Sequence, residues 1–163
     1  MDTAPEREPL ELRVELHPFL VGLRSDHIRL LADCAMAKRF EAGEYLFRQG
    51  EFANRFYLIE EGMVVLEALN NAGTCVVIDQ VGAGKLVGWS WLFPPYYLHL
   101  SARALEPTRT IFFHGTRLRE QCEQDHDLGY QLMKRIAEVV IQRLRATQQR
   151  LMECNDTSKL SNS

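Results

Sequence analysis

The side chains able to do chemistry are thinly spread in this sequence, with one exception. The histidines, His17, His27, His99, His114 and His126, stand far apart and form no His-x-His pair. The clustered imidazole and carboxylate ligands of a metal-dependent enzyme are therefore missing. No serine–histidine–acid set and no glycine-rich phosphate loop can be picked out. Cys34, Cys75, Cys122 and Cys154 are each isolated, which excludes zinc and iron–sulfur spacings and reads as reduced thiols, with Cys154 in the tail the most accessible to oxidation. The exception is the stretch Gly88-Trp89-Ser90-Trp91-Leu92, the loop Phe93-Pro94-Pro95-Tyr96-Tyr97-Leu98, and His99-Leu100-Ser101-Ala102. Glycine, hydroxyls and aromatic faces recognise a ligand rather than transform it. The expectation is a binding module with no catalytic residue and no metal.

The elements that position this stretch follow from pattern. A chain of 163 residues fits one domain. A net charge of -3 gives no general attraction for nucleic acid or acidic lipid. No apolar run reaches the ~18–20 residues of a membrane span, and the acidic, polar start lacks signal-peptide features, so a cytoplasmic protein is expected. Residues 1–14 read as a flexible lead. Apolar spacing from His17 through Leu31 predicts short helices, the second capped by Ser25 and Asp26. Between Met36 and Phe113 the texture changes. Short Val-, Ile-, Phe- and Tyr-rich runs, at Tyr45–Phe47, Phe56–Ile59, Met63–Leu66, Cys75–Ile78, Leu86–Val87, Leu98–Leu105 and Thr110–Phe113, alternate with glycine-bearing breaks. That rhythm predicts an antiparallel sandwich or roll rather than βαβ units. A short helix over Thr116–Cys122 and a long one over 127–152, capped by an aspartate of Asp125-His126-Asp127, follow. Residues 153–163 read as a flexible tail, leaving 15–152 as the domain.

Two segments, Gly43-Glu44-Tyr45-Leu46-Phe47-Arg48-Gln49-Gly50 and Phe56-Tyr57-Leu58-Ile59-Glu60-Glu61-Gly62-Met63-Val64, resemble the cyclic-nucleotide-binding domain family, and within it the Crp/Fnr sensor domains. The resemblance runs over roughly residues 17–152. It implies a mainly β fold with flanking helices: an antiparallel β-roll of jelly-roll type, then a long C-terminal dimerisation helix. It also implies a non-catalytic regulatory role and a cyclic nucleotide as the natural cofactor. In ligand-binding members a short helix reading approximately Phe-Gly-Glu-x-Ala/Ser-Leu, followed after a loop by Arg-Ser/Thr-Ala, cradles the cyclic phosphate. Backbone N–H groups face the phosphate, the Glu accepts a ribose hydroxyl, and the Arg neutralises the phosphate.

Gly88, Leu92, Ser101 and Ala102 match this cassette, while Trp89 stands at the Glu position and Leu100 at the Arg position. The loss of charge-assisted bonds worth ~1.5–3 kcal/mol each makes the usual binding of cyclic AMP or cyclic GMP doubtful. His99 or Arg103 is a candidate substitute cation if the loop shifts; otherwise each is a solvated surface group. Two readings of the aromatics stay open. Trp89, Ser90 and Trp91 either line a pocket for a flatter, less charged ligand or fill the old pocket and close it.

On the long helix, Met133, Ala137, Val140, Leu144, Thr147 and Leu151 alternate spacings of four and three, a heptad seam predicting a parallel homodimer. Thr147 matches the position that contacts the purine in Crp/Fnr relatives, and Gln148 stands where the other subunit contributes its contact. A polar residue fixing helix register is the alternative. Only a short stretch follows Met152, so direct DNA binding through a helix-turn-helix is not expected. The expected function is a dimeric regulatory sensor with an unknown small-molecule ligand or partner protein. The alternative is a ligand-free dimeric interaction module on the same fold. A cupin-type enzyme is the third and weakest class, for want of clustered ligands.

Overall fold

The computed structural model describes residues 8–161. Two short helices, α1 (Leu10–Leu16) and α2 (Ser25–Cys34), lead into eight strands: β1 (Ala35–Phe40), β2 (Tyr45–Phe47), β3 (Arg55–Glu61), β4 (Met63–Leu69), β5 (Cys75–Gly82), β6 (Leu86–Val87), β7 (Ser101–Ala104) and β8 (Thr108–His114). A 3₁₀ turn, Trp89–Leu92, interrupts the strands between β6 and β7, and α3 (Gly115–Gln124) and α4 (His126–Ser161) close the chain. The strands form two antiparallel sheets, β1-β8-β3-β6 and β2-β7-β4-β5, which face each other as a roll.

Strand alternation divides the core in two. On β3, Phe56 and Leu58 point to the helices while Tyr57 and Ile59 point into the roll; on β8, Ile111 and Phe113 oppose Phe112; on β6, Leu86 opposes Val87. This is the period of two that a strand imposes when both faces are covered. The helix-side cluster is completed by Leu31, Leu118 and Leu128, Leu132 and Ile136 of α4. The roll interior is completed by Phe40, Phe47, Val64, Leu66, Val81 and Ala102. The turn between β3 and β4 depends on Gly62. Its φ is 109°, and a Cβ there would stand 2.4 Å from Thr108 Oγ1 and 2.7 Å from Thr108 Cα. Only glycine tolerates both the left-handed backbone and that approach.

The expected strand runs all fall in or overlap strands, but several boundaries need correction. β1 lies in Ala35-Met36-Ala37-Lys38-Arg39-Phe40, where no strand run was expected; it pairs along its whole length with β8, from Ala35 opposite Phe113 to Phe40 opposite Thr108. The lead expected over residues 1–14 is partly structured. α1 starts at Leu10, and Val14 is fully buried in the helix-side cluster; residues 1–7 lie outside the described residues. The stretch after His17 is a turn rather than a helix. Ser25 is the first residue of α2 and not its cap, since Arg24 holds that position without a capping side chain. The expected aspartate cap of α4 is Asp125, whose Oδ1 accepts the Leu128 N–H at 3.1 Å. That helix does not stop at Met152 but continues to Ser161 through a segment with no glycine or proline, so the tail expected over 153–163 is helical as far as the described residues go.

Candidate functional site

The site expected from the sequence sits where β6 leaves the roll. Gly88 is buried with φ 86°, and it turns the chain out of β6 into the 3₁₀ turn. A Cβ on Gly88 would meet Arg55 O at 3.1 Å and Phe47 Cε1 at 3.3 Å. The Phe47 ring, itself part of the roll cluster, therefore covers the interior face of Gly88. Leu100 packs half-buried against the same cluster, and Ala102 is fully buried inside it. Ser101 opens β7, and its Oγ accepts the N–H of Gln49 at 2.8 Å. At the roll end of the cassette Phe47, Leu100 and Ala102 are apolar, while Glu51, Asn54, Arg55 and Tyr57 line a small cavity beside Phe47.

The two tryptophans part company with the cassette. Trp91 is fully buried among the helix-side residues, 5.6 Å centre to centre from Phe56, and its carbonyl accepts a hydrogen bond from Arg119. Its backbone approach is as close as packing permits, since a Cβ on Gly115 would stand 2.8 Å from Trp91 Cβ. Trp89 and Leu92 pack half-buried against that same cluster, with Trp89 edge-on to Phe93 at 6.0 Å. Ser90 is half-buried, and its carbonyl accepts the Phe93 N–H at 3.3 Å. This corrects the picture of tryptophans either lining or plugging the roll pocket. The 3₁₀ turn carries them to the helix side, against α3 and β3, while Phe47 and Leu100 pack with the roll cluster instead. The local sequence pattern placed Phe47 on a strand but not against Gly88, because that contact joins positions about forty residues apart.

The two candidate cations also find their places. His99 is exposed. Arg103, the second candidate cation, is paired within the roll rather than freely solvated. It is half-buried and donates from Nε and Nη2 to Glu67 at 3.2 and 3.3 Å, while Tyr45 Oη donates to the same carboxylate at 3.0 Å. Arg103 and Tyr45 together hold the Glu67 carboxyl below its ordinary range, against the opposing effect of burial.

On α4, Thr147 and Gln148 are exposed, and Thr147 Oγ1 donates back to the Arg143 carbonyl at 2.8 Å. The expected seam is mostly solvent-facing: Met133 is 50% exposed, Leu144 55% and Leu151 63%, and Ala137 is exposed with them. Val140 instead packs partly on the helix-side cluster, and Ile141, 46% exposed, joins the open face. On the inner side, Arg143 donates to the Leu86 carbonyl and Arg150 Nη1 donates to the Ile78 carbonyl at 2.5 Å, fastening the helix to β5 and β6.

A two-sheet roll with a short helical turn between β6 and β7 and a long trailing helix defines a binding module, with a glycine-cornered cradle at the roll's end. The cyclic nucleotide-binding domain family matches residues 37–125, and the chain belongs to that family. Solved structures agree. A cyclic nucleotide-binding protein from Geobacter metallireducens GS-15 is 32% identical, with a TM-score of 0.73, covering 84% of this chain and 98% of that one. The Thermus thermophilus catabolite activator protein, 21% identical with a TM-score of 0.67, covers 85% of this chain and 63% of that one, and shows the fold alone. In sequence, the anaerobic regulatory protein of Bacillus subtilis (strain 168) is 29% identical over 114 residues, which are 69% of this chain and 48% of that protein. The chain thus spans about half the length of that relative. It is a Crp/Fnr-like regulatory sensor domain in a family of non-catalytic modules. Among the described residues no helix is long and apolar enough to cross a membrane.

Proposed function

We propose that this chain is the sensor unit of a dimeric regulator whose roll does not hold cyclic AMP or cyclic GMP in the family's usual pose. The observation that carries this reading is the apolar filling of the cassette: Phe47 lies against Gly88, and Leu100 packs where the resemblance calls for an arginine. A cyclic phosphate brought there finds neither the arginine nor the glutamate of the family's cassette, loses its hydration, and must displace packed rings. Calorimetry with cyclic AMP and cyclic GMP tests this. The expected dissociation constants are weaker than ~1 μM, about -8.2 kcal/mol; tighter binding by either nucleotide overturns the reading.

Dimerisation through α4 belongs to the same proposal. The open face that includes Met133, Ala137, Ile141, Leu144 and Leu151 is an apolar stripe on a helix whose opposite side is fastened to the roll. A parallel pairing of two such helices buries that stripe. The ligand-free interaction module is favoured by a different feature: Phe52, Phe93 and Tyr97, 48%, 43% and 49% exposed, form an aromatic surface around Pro94 and Pro95. Aromatics of this kind are the usual anchors of protein contacts.

A further inference from the structure

We infer that the groove between α4 and the β5–β6 turn is a binding site for a small organic anion, with Arg135, Arg143 and Lys85 receiving its acidic group. The inference rests on the sensor reading and names a site for it outside the cassette. The groove holds about 430 Å³, within the ~300–1,000 Å³ range of small-molecule sites. No residue of Gly88–Leu92 or His99–Ala102 lines it.

Its cations are unusually placed. Arg135 and Arg143 lie on the side of α4 that packs against the molecule, beside Ile136 and Val139. Arg135 Nη1 donates to the Phe19 carbonyl at 2.7 Å, and its buried Nε has no hydrogen-bond partner. Arg143 donates to the Leu86 carbonyl, and burial lowers its pKa with only Asp79 acting in the other direction. Neither arginine makes an ion pair among the described residues. A half-buried guanidinium bonded to a neutral carbonyl keeps most of its charge and several donors unsatisfied, and a carboxylate or phosphate matches both. Lys85 adds a third positive charge, against Asp79 and Glu138 on the same lining, and Asp79 is drawn on by Arg150 at 3.9 Å. Phe19, Leu86 and Val139 supply apolar walls for the body of the ligand. On the helix wheel this side lies well over a quarter-turn from the Met133–Leu144 stripe, at ~100° per residue. The groove and a helix-mediated dimer are therefore compatible.

The test uses citrate and pyrophosphate as probes, titrated separately at constant ionic strength and followed by thermal shift and calorimetry, with glycerol as the uncharged control. Saturable binding by at least one anion and none by glycerol is expected; a citrate preference assigns a carboxylate ligand and a pyrophosphate preference a phosphorylated one. Arg135→Gln and Lys85→Gln should each weaken binding about tenfold or more, while Arg145→Gln, on an exposed part of α4, should leave it unchanged. Arg143→Lys, which keeps the charge but not the fork, should weaken it while the protein still melts cooperatively. Non-saturable binding of both anions, or affinities unaltered in Arg135→Gln and Lys85→Gln, overturns the site. Tight cyclic AMP binding that survives those two substitutions overturns the cassette reading and leaves the groove standing.

Discussion

At the scale of single residues, the most exacting environment belongs to His17. It is only 4% exposed; its Nε2 lies 2.8 Å from the Ile59 carbonyl and its Nδ1 accepts the Phe19 N–H at 3.2 Å. That pairing requires the neutral ring with its proton on Nε2, because a second proton on Nδ1 would face another donor. Burial accordingly lowers the His17 pKa below its ordinary 6.5, despite the opposing pull of the Ile59 carbonyl and Glu60. A base with a depressed folded pKa binds fewer protons folded than unfolded, so its contribution is intact above the unfolded value and is lost as pH falls below about 6.5 toward the folded value. Each tenfold loss of proton affinity is worth about 1.4 kcal/mol, or ~3–6 °C in Tm for a domain of this size. Thermal melts at about pH 7.5 and 5.5 should show a steeper fall for the native chain than for His17→Gln, whose amide can still donate to Ile59. Parallel falls would refute the assignment. Asp125 and Glu67 have lowered carboxyl pKa values, and their contributions are lost only as pH falls below their ordinary values of 3.8 and 4.5.

At the scale of elements, α4 carries both surfaces that matter. Leu128, Leu132 and Ile136 anchor its first half in the helix-side cluster, and Arg143 and Arg150 tie its middle to β6 and β5. The opposite face is left to solvent, with Leu144 near its centre. Replacing Leu144 by Lys should abolish self-association without disturbing the monomer, since a 55% exposed side chain has little native packing to lose. Two lysines facing across a parallel seam repel, and the burial of an unpaired charge costs several kcal/mol. Sedimentation at ~10–100 μM should give a dimer for the native chain and a monomer for Leu144→Lys, with Tm dependent on concentration only in the former. A native chain that sediments as a monomer across that range overturns the seam.

At the scale of the whole molecule, what was legible in the sequence follows the range of the interactions. The glycine corners at Gly43, Gly50 and Gly62 and the alternating strands announced the roll, because turn geometry and period are local properties. β1 was illegible: of its six residues only Phe40 is fully buried, and its pairing is dictated by β8, about seventy residues away. The sides taken by Trp89 and Trp91 were illegible for a related reason. A single 3₁₀ turn has no period from which to read an inner face, and the placement is decided by Phe56, Gly115 and Leu118. Arg135 and Arg143 were illegible as a site, because in the sequence they are only two of several helix charges, and the groove they line needs β5 and β6 in place.

The same long-range sharing governs how the molecule should unfold. β3, β6 and β8 each send one face into the helix-side cluster and the other into the roll. Melting either cluster strips one face of all three strands, and the pairings of β8 with β1 and of β3 with β8 and β6 bind those strands into one sheet. The two clusters should therefore be lost in one cooperative step. Both tryptophans report on the helix side, Trp91 from its interior, while the amides of β4 and β7 report on the opposite sheet. Urea unfolding of Leu144→Lys, chosen to remove dimerisation from the equilibrium, should give a tryptophan-fluorescence midpoint that matches the hydrogen-exchange midpoint of β4 and β7. The best-protected amides around Leu132–Ile136 and Val64–Leu66 should share one opening free energy. Fluorescence lost at a lower urea concentration than β4 protection would mean that the helices detach while the roll persists, and the molecule would then consist of two folding units.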